Sequence, residues 1–253
     1  MFDALDHPFL ILALSLPLFW FAAMIGASLR AKRQALKDES REDFTFVLGA
    51  TLTLLGLIIG FTFSMAVSRY EQRKNYEEDE ANAIGTEYVR ADLLPTADAG
   101  KVRALLRNYL DQRILHYTTR SYEERRGINS ETARLQTELW SAVLAPASAQ
   151  PTCVMALTLS GMNDVLNSQG YTQAAWWNRI PIGAWILLIS ISVFCNVLIG
   201  YAAHGKGTLI LLILPITLAV SLFLISDIDS PRSGIISVRP QNLESLSDSL
   251  HAE

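Results

Sequence analysis

The sequence predicts an all-α, polytopic membrane protein, and three observations predict it. Four apolar stretches, at 9–29, 44–68, 180–203 and 208–226, hold no charged residue, and each is long enough to cross a hydrocarbon core of about 30 Å. The polar region at 69–179 spaces its apolar residues as helices do and shows no strand-like alternation. The second stretch runs on from Phe44 to Leu94 without a proline, so the span and the charged segment after it read as one helix. The chain thus divides into spans 1 and 2 with their short loop (1–68), a helical extramembrane region (69–179), a hairpin of spans 3 and 4 (180–226) and a tail (227–253).

The first span carries Pro17 near its middle, which predicts a packing kink of the kind membrane helices tolerate. The segment before it holds Asp3 and Asp6 and no Lys or Arg, unlike a signal peptide. The loop at 30–43 then holds five basic residues, Arg30, Lys32, Arg33, Lys37 and Arg41. Short basic loops stay inside, which favours an N-terminus outside and the 69–179 region outside with it. Cations near the other span ends balance that loop in number but not in density.

Within 69–179 the pattern predicts four helices. Ala81, Ile84, Tyr88 and Ala91 form one apolar stripe, and a break follows at Pro95. Val102, Leu106, Tyr109, Ile114 and Tyr117 form the next. Asn129 or Ser130 suits the cap of a third helix burying Leu135, Leu139 and Ala142. Pro151 suits the start of a fourth, with Met155, Leu159, Met162 and Leu166 inward and Gly170 at its end. Arg73 with Glu77, and Lys74 with Glu78, are spaced to pair on a solvated face. Trp176 and Trp177 are placed at the headgroup level ahead of span 3.

Spans 3 and 4 are joined by His204-Gly205-Lys206-Gly207 alone, and Pro215 lies inside the fourth. The tail opens with Asp227, Asp229, Pro231 and Gly234, turn-forming residues expected to stop the helix and start an extended segment at 235–238. The last dozen residues, rich in serine and acids, read as disordered.

The second stretch has one unusual face. Gly49, Thr53, Gly56, Gly60 and Ser64, continued by Val67, Glu71, Lys74 and Glu78, stay within roughly 60° of one helix azimuth. Small residues let membrane helices approach closely, so the stripe reads as helix packing. The same stripe, repeated around a symmetry axis, also reads as the lining of a water path whose mouth is ringed by charge. Both readings stand on the residues alone.

Other chemistry is missing. The four histidines are scattered, no phosphate-cradling glycine loop or nucleophile elbow occurs, and no metal site or cofactor is expected. Enzyme function has no positive support. A net charge of −4 does not argue for nucleic acid. The spans hold no Asp, Glu, Lys or Arg, which counts against a proton-coupled pump. Cys153 falls in the polar region and Cys195 in a span, too far apart in kind to suggest a disulfide.

Arg69-Tyr70, Glu80-Ala81-Asn82-Ala83-Ile84-Gly85, Leu93-Leu94-Pro95, Met162-Asn163-Asp164 and Asp227-Ile228-Asp229-Ser230-Pro231-Arg232-Ser233-Gly234, in this order around four spans, resemble the bestrophin-like bacterial membrane proteins. The resemblance implies a multi-pass protein of the bacterial inner membrane. It also implies a homo-oligomer, in bestrophins a pentamer, conducting small ions, mostly anions such as chloride, through a pore lined by the second span. On that reading Gly49, Thr53, Gly56, Gly60, Phe63, Ser64 and Val67 line the pore, with Phe63 and Val67 nearest to a constriction. Glu71, Lys74 and Glu78 ring its mouth. Bestrophins narrow the pore with bulky side chains where this stripe is glycine-rich, the calcium clasp of animal bestrophins is missing, and their large domain is cytoplasmic. The alternative is a non-conducting scaffold or envelope sensor whose helical region binds a partner; a transporter is a third reading.

Overall fold

The structure, a computed structural model, describes residues 7–32, 38–203 and 210–252. Among them there is no strand. In chain order come α1 (Pro8–Lys32), α2 (Asp38–Arg90), a 3-10 turn (Ala91–Leu93), α3 (Thr96–Thr118), α4 (Tyr122–Ala149), α5 (Cys153–Trp177), α6 (Ile182–Ala202), α7 (Ile210–Asp229) and α8 (Gln241–His251). The four expected spans lie in α1, α2, α6 and α7, so the all-α, four-span reading holds. Residues 33–37 of the basic loop and the link at 204–207 lie outside the described residues. Pro17 and Pro215 sit inside α1 and α7 without ending either helix.

Two compact units can be told apart: Met1–Tyr70 with Arg179–Ser237, and Glu71–Asn178 with Val238–Glu253. The first holds the spans. Phe19 of α1, Leu55 and Ala66 of α2, Trp185, Leu188 and Cys195 of α6, and Leu218, Leu222 and Ile225 of α7 make its buried core. Two glycines let α1 and α6 touch at the backbone. A Cβ on Gly26 would fall on the Val197 carbonyl, and one on Gly200 on that of Ala23. This is close approach through small residues, as expected where lipid supplies no hydrophobic drive. At the same end, the Arg30 guanidinium donates to the carbonyls of Tyr201 (3.0 Å) and Ala202 (2.9 Å), closing the C-terminus of α6, where the helix dipole favours a cation.

The second unit packs the end of α2 with α3, α4, α5 and α8. Of the residues expected inward from spacing, Ala81, Ile84, Tyr88, Ala91, Val102, Leu106, Tyr109, Tyr117, Leu135, Leu139, Ala142, Met155 and Met162 are buried, while Ile114, Leu159 and Leu166 are half-buried. Boundaries differ in three places. α4 starts earlier than expected, because the Ser121 hydroxyl accepts from the Glu124 amide and caps it there; Asn129 instead faces His116, 3.2 Å away. α5 is capped by Thr152 and passes through Gly170 to Trp177, since a single glycine costs a helix only about 1 kcal/mol. Within it, Trp176 is buried against His116 and Tyr117, with ring centroids 5.3 and 5.2 Å away, while Trp177 is exposed.

The last difference is at the C-terminus. The stretch expected to be disordered folds as α8, whose Leu243 and Leu250 are buried. Its composition is that of a solvated tail, but two inward leucines seven residues apart are enough to dock a short helix.

Gly200 and Gly56 separate packing from its absence. Gly200→Ala should lower the thermal unfolding midpoint in detergent, with an overpacking cost of about 1–3 kcal/mol. Gly56→Ala, whose Cβ meets nothing within 4 Å, should leave the midpoint unchanged or raise it.

Candidate functional site

The membrane part of α2 has a committed side and an uncommitted one. Leu55, Thr62 and Ala66 are buried in the first unit. At about 100° per residue they lie within about 20° of one azimuth, and the stripe residues Gly49, Thr53, Gly56, Gly60, Phe63, Ser64 and Val67 lie roughly 80–180° round from it. Gly49, Thr53, Gly56, Gly60, Phe63 and Ser64 are exposed, and Val67 is half-buried at the edge of the core. Of the four candidate spans this is the least covered by its own chain: 6% of it is buried, against 28–44% for the others.

The glycines differ in kind. A Cβ on Gly49, Gly56 or Gly60 would meet nothing within 4 Å, whereas Gly26 and Gly200 leave no room at all. The stripe is therefore not made of small residues to suit contacts among the described residues of this chain. Thr53 donates its hydroxyl hydrogen to the Gly49 carbonyl at 2.9 Å, which leaves an oxygen lone pair turned outward. Glu71, Lys74 and Glu78, the expected mouth, are all exposed in the second unit.

The tail residues make a closed knot in the first unit. Asp227 and Asp229 are 1% and 2% exposed, which only a dense set of donors makes tolerable. Asp227 accepts the amides of Ile235 (2.8 Å) and Ile236 (3.0 Å), so the chain after Pro231 turns back onto the end of α7. Gly234 is required there, since a Cβ would fall on the Asp227 carboxylate. Asp229 accepts from the Arg179 guanidinium (3.0 Å) and the Ile180 amide (3.2 Å), with the Arg69 guanidinium 3.8 Å away. One carboxylate thus ties Arg69 in the middle of α2 to the start of α6 and the end of α7. α7 runs through Asp227 to Asp229 and bends follow at 231–236, and the two acids are spent on backbone amides and arginines. Among the described residues no cluster of His, Cys, Asp and Glu is placed to hold a metal.

In the second unit, part of the charge run that read as a solvated face is buried. Arg73, Glu77, Glu80 and Glu87 are each at most 1% exposed, and Glu77, Glu80, Ile84 and Glu87 fall within about 40° of Arg73 round the helix. Glu77 accepts the amides of Asn242 (2.9 Å) and Leu243 (3.0 Å) and the Asn242 side chain (2.6 Å), which makes it the cap of α8 supplied from another helix. Glu80 forms an ion pair with the buried Arg113 and is approached by Tyr117 (3.4 Å) and Thr172 (3.3 Å). Glu87 has no hydrogen-bond partner for either oxygen among the described residues. Burial, reinforced by Asp164 and partly offset by Arg90, pushes its pKa up to about 8.

Sequence reasoning missed these carboxylates because each is one charge among many. The signal was their spacing. Positions 73, 77, 80, 84 and 87 continue the rhythm of a buried face, and the apolar stripe from Ala81 to Ala91 lies beside it.

The model of the bestrophin-like domain matches residues 10–243. Solved structures share the fold. A bacterial bestrophin homologue from Klebsiella pneumoniae, crystallised as a point variant, is 13% identical and superposes with a TM-score of 0.68, over 94% of this chain and 97% of that one. Another crystal structure of a bestrophin homologue from the same organism gives 14% and 0.65, over 95% and 94%. A structure described as a membrane protein variant gives 13% and 0.69, over 96% of each. None of the curated proteins matches the chain.

Losing the Asp227 carboxylate should unfold the knot. Asp227→Ala leaves two amides without an acceptor at about 1–3 kcal/mol each. We expect a clear drop in thermal midpoint and new proteolytic cleavage near Ile235, with Asp227→Asn intermediate because one acceptor remains.

Proposed function

Since this chain belongs to the bestrophin-like family, we propose that it is a homo-oligomeric ion channel of the bacterial inner membrane, pentameric as bestrophins are, with α2 lining an axial pore. The observation that carries this reading is the bare stripe on α2. Three glycines face open space on the side of the helix turned away from its own chain. Small residues that serve no contact within the subunit serve something outside it, and a ring of symmetry mates around water uses them. Phe63, exposed, and Val67 form the narrowest collar of such a ring, where apolar side chains gate by dewetting.

Small anions such as chloride are the conducted species, in keeping with bestrophins. One observation favours a second reading. Each subunit places two carboxylates, Glu71 and Glu78, against one ammonium, Lys74, at the mouth, and rings of acids favour cations. Liposomes holding the purified protein decide both points. A salt gradient should drive a flux, and the sign of the reversal potential reads the selectivity. Gly56→Leu and Gly60→Leu should lower the flux by about tenfold or more while the oligomer stays intact, as a bulky side chain obstructs a water path without touching the subunit core. A protein that assembles but never conducts leaves the scaffold or sensor reading, in which the stripe only packs.

For orientation, we place the N-terminus and the 69–179 region outside, as the basic loop directs. Cys153 is exposed and Cys195 buried, so a membrane-impermeant maleimide reports on Cys153 alone. Labelling in intact spheroplasts supports this orientation. Labelling only after permeabilisation reverses it and matches the cytoplasmic domain of bestrophins.

A further inference from the structure

Three buried glutamates share one face of α2 in the second unit, and two are fully answered. Glu77 is met by three N–H donors of α8 and Glu80 by Arg113, Tyr117 and Thr172. Glu87, at 0% exposure, has no donor for either oxygen among the described residues. It sits against the backbone of α5, where a Cβ on Gly161 would fall on its Oε2 and on the Arg90 Nη1. The Thr158 hydroxyl, one turn earlier on α5, is likewise fully buried and unpartnered.

A carboxylate without donors in such a place is far costlier than the neutral acid. Two charged groups act on it. Arg90, one turn along α2, favours the ionised form without hydrogen-bonding to it, and Asp164, exposed on α5, opposes it.

We propose that Glu87 is a proton-binding site that makes the packing of α2 on α5 sensitive to pH: the contact closes around the neutral acid and loosens when the proton leaves. The reading stands apart from conduction, since it concerns the second unit alone.

The direction follows from linkage. The acid's ordinary value is 4.5 and its value in the fold is about 8. Between these the packed state holds a proton that the opened state has lost. The stability due to Glu87 is complete below the lower value, falls as pH rises through the window, and is constant above the upper one. A glutamine of the same shape carries no such dependence.

The test is amide hydrogen exchange of the full chain in detergent, comparing the native protein with Glu87→Gln in peptides covering 158–165. Intrinsic exchange chemistry cancels in the ratio of the two. The ratio of native to variant rate should be close to one at about pH 4.5 and exceed about tenfold at about pH 9. Infrared difference spectra give a readout free of folding: a protonated-carboxyl band, missing in Glu87→Gln, should bleach as pH rises towards 8. A variant that exchanges faster than the native protein at every pH would mean an ionised Glu87 paired with Arg90. That result, or the lack of a Glu87 carboxyl band at neutral pH, overturns the proposal. A protein without ion flux leaves it untouched.

Discussion

A long helix that serves two compact units must offer each of them a side to pack against, and within each unit α2 does so with residues spaced at helical intervals. Through the span that side is Leu55, Thr62 and Ala66; beyond it, Arg73, Glu77, Glu80, Ile84 and Glu87. The 53 residues from Asp38 to Arg90 contain no proline, so the 3.6-residue turn governs which positions face inward within each unit. Charged residues are carried into a packed interior because the rotation brings them there, and the rest of each unit supplies what they need.

That supply explains features that look unrelated. α8 begins where Glu77 offers an acceptor for its first amides, and the segment after Pro231 turns where Asp227 does the same. The start of α6 is fixed by Asp229 through the Ile180 amide and Arg179. In each case a carboxylate answers backbone amides that no helix satisfies internally, the one role in which a buried acid is well matched by neutral donors. A buried carboxylate paired only with arginine is a weaker anchor, since desolvation of both ions offsets most of their attraction. Glu80 is not left with Arg113 alone, since Tyr117 and Thr172 donate to it as well.

The legible part of the fold was the part carried by runs and periods. Four uncharged stretches marked the spans, and spacing of three and four marked most inward residues of α3 and α4 but only Met155 and Met162 of α5, where Thr158, Gly161 and Val165 are also buried. Caps were read less well, because Asn129 and Ser121 are equally good N-caps in isolation and only the packing of Tyr122–Ala149 chooses between them. The tail was misread for a similar reason. A helix of eleven residues does not form alone, so α8 exists through Glu77 and two leucines that its own composition does not advertise. Among the candidate site residues, the knot at Asp227 and Gly234 was visible as a turn, yet its acceptor role required the distant amides of Ile235 and Ile236. The stripe was visible as a pattern, and what the structure adds is that the chain itself makes no use of those glycines.

The state of the backbone along that stripe constrains how an ion could be chosen. In an intact helix each carbonyl accepts the amide four residues on, so Gly49 to Gly60 cannot offer the free carbonyl cage of a filter built from extended loops. Thr53 adds an oxygen whose hydrogen is already donated to Gly49. An anion entering such a pore finds neither free amides nor free hydroxyl hydrogens from these groups. In the proposed channel, discrimination would then fall to the charges of the mouth and to the work of removing water at a Phe63 and Val67 collar. Larger, more weakly hydrated ions cross an apolar collar at less cost than small, strongly hydrated ones, so as the lining of the proposed pore the bare stripe would rank ions by hydration and leave their sign to Glu71, Lys74 and Glu78.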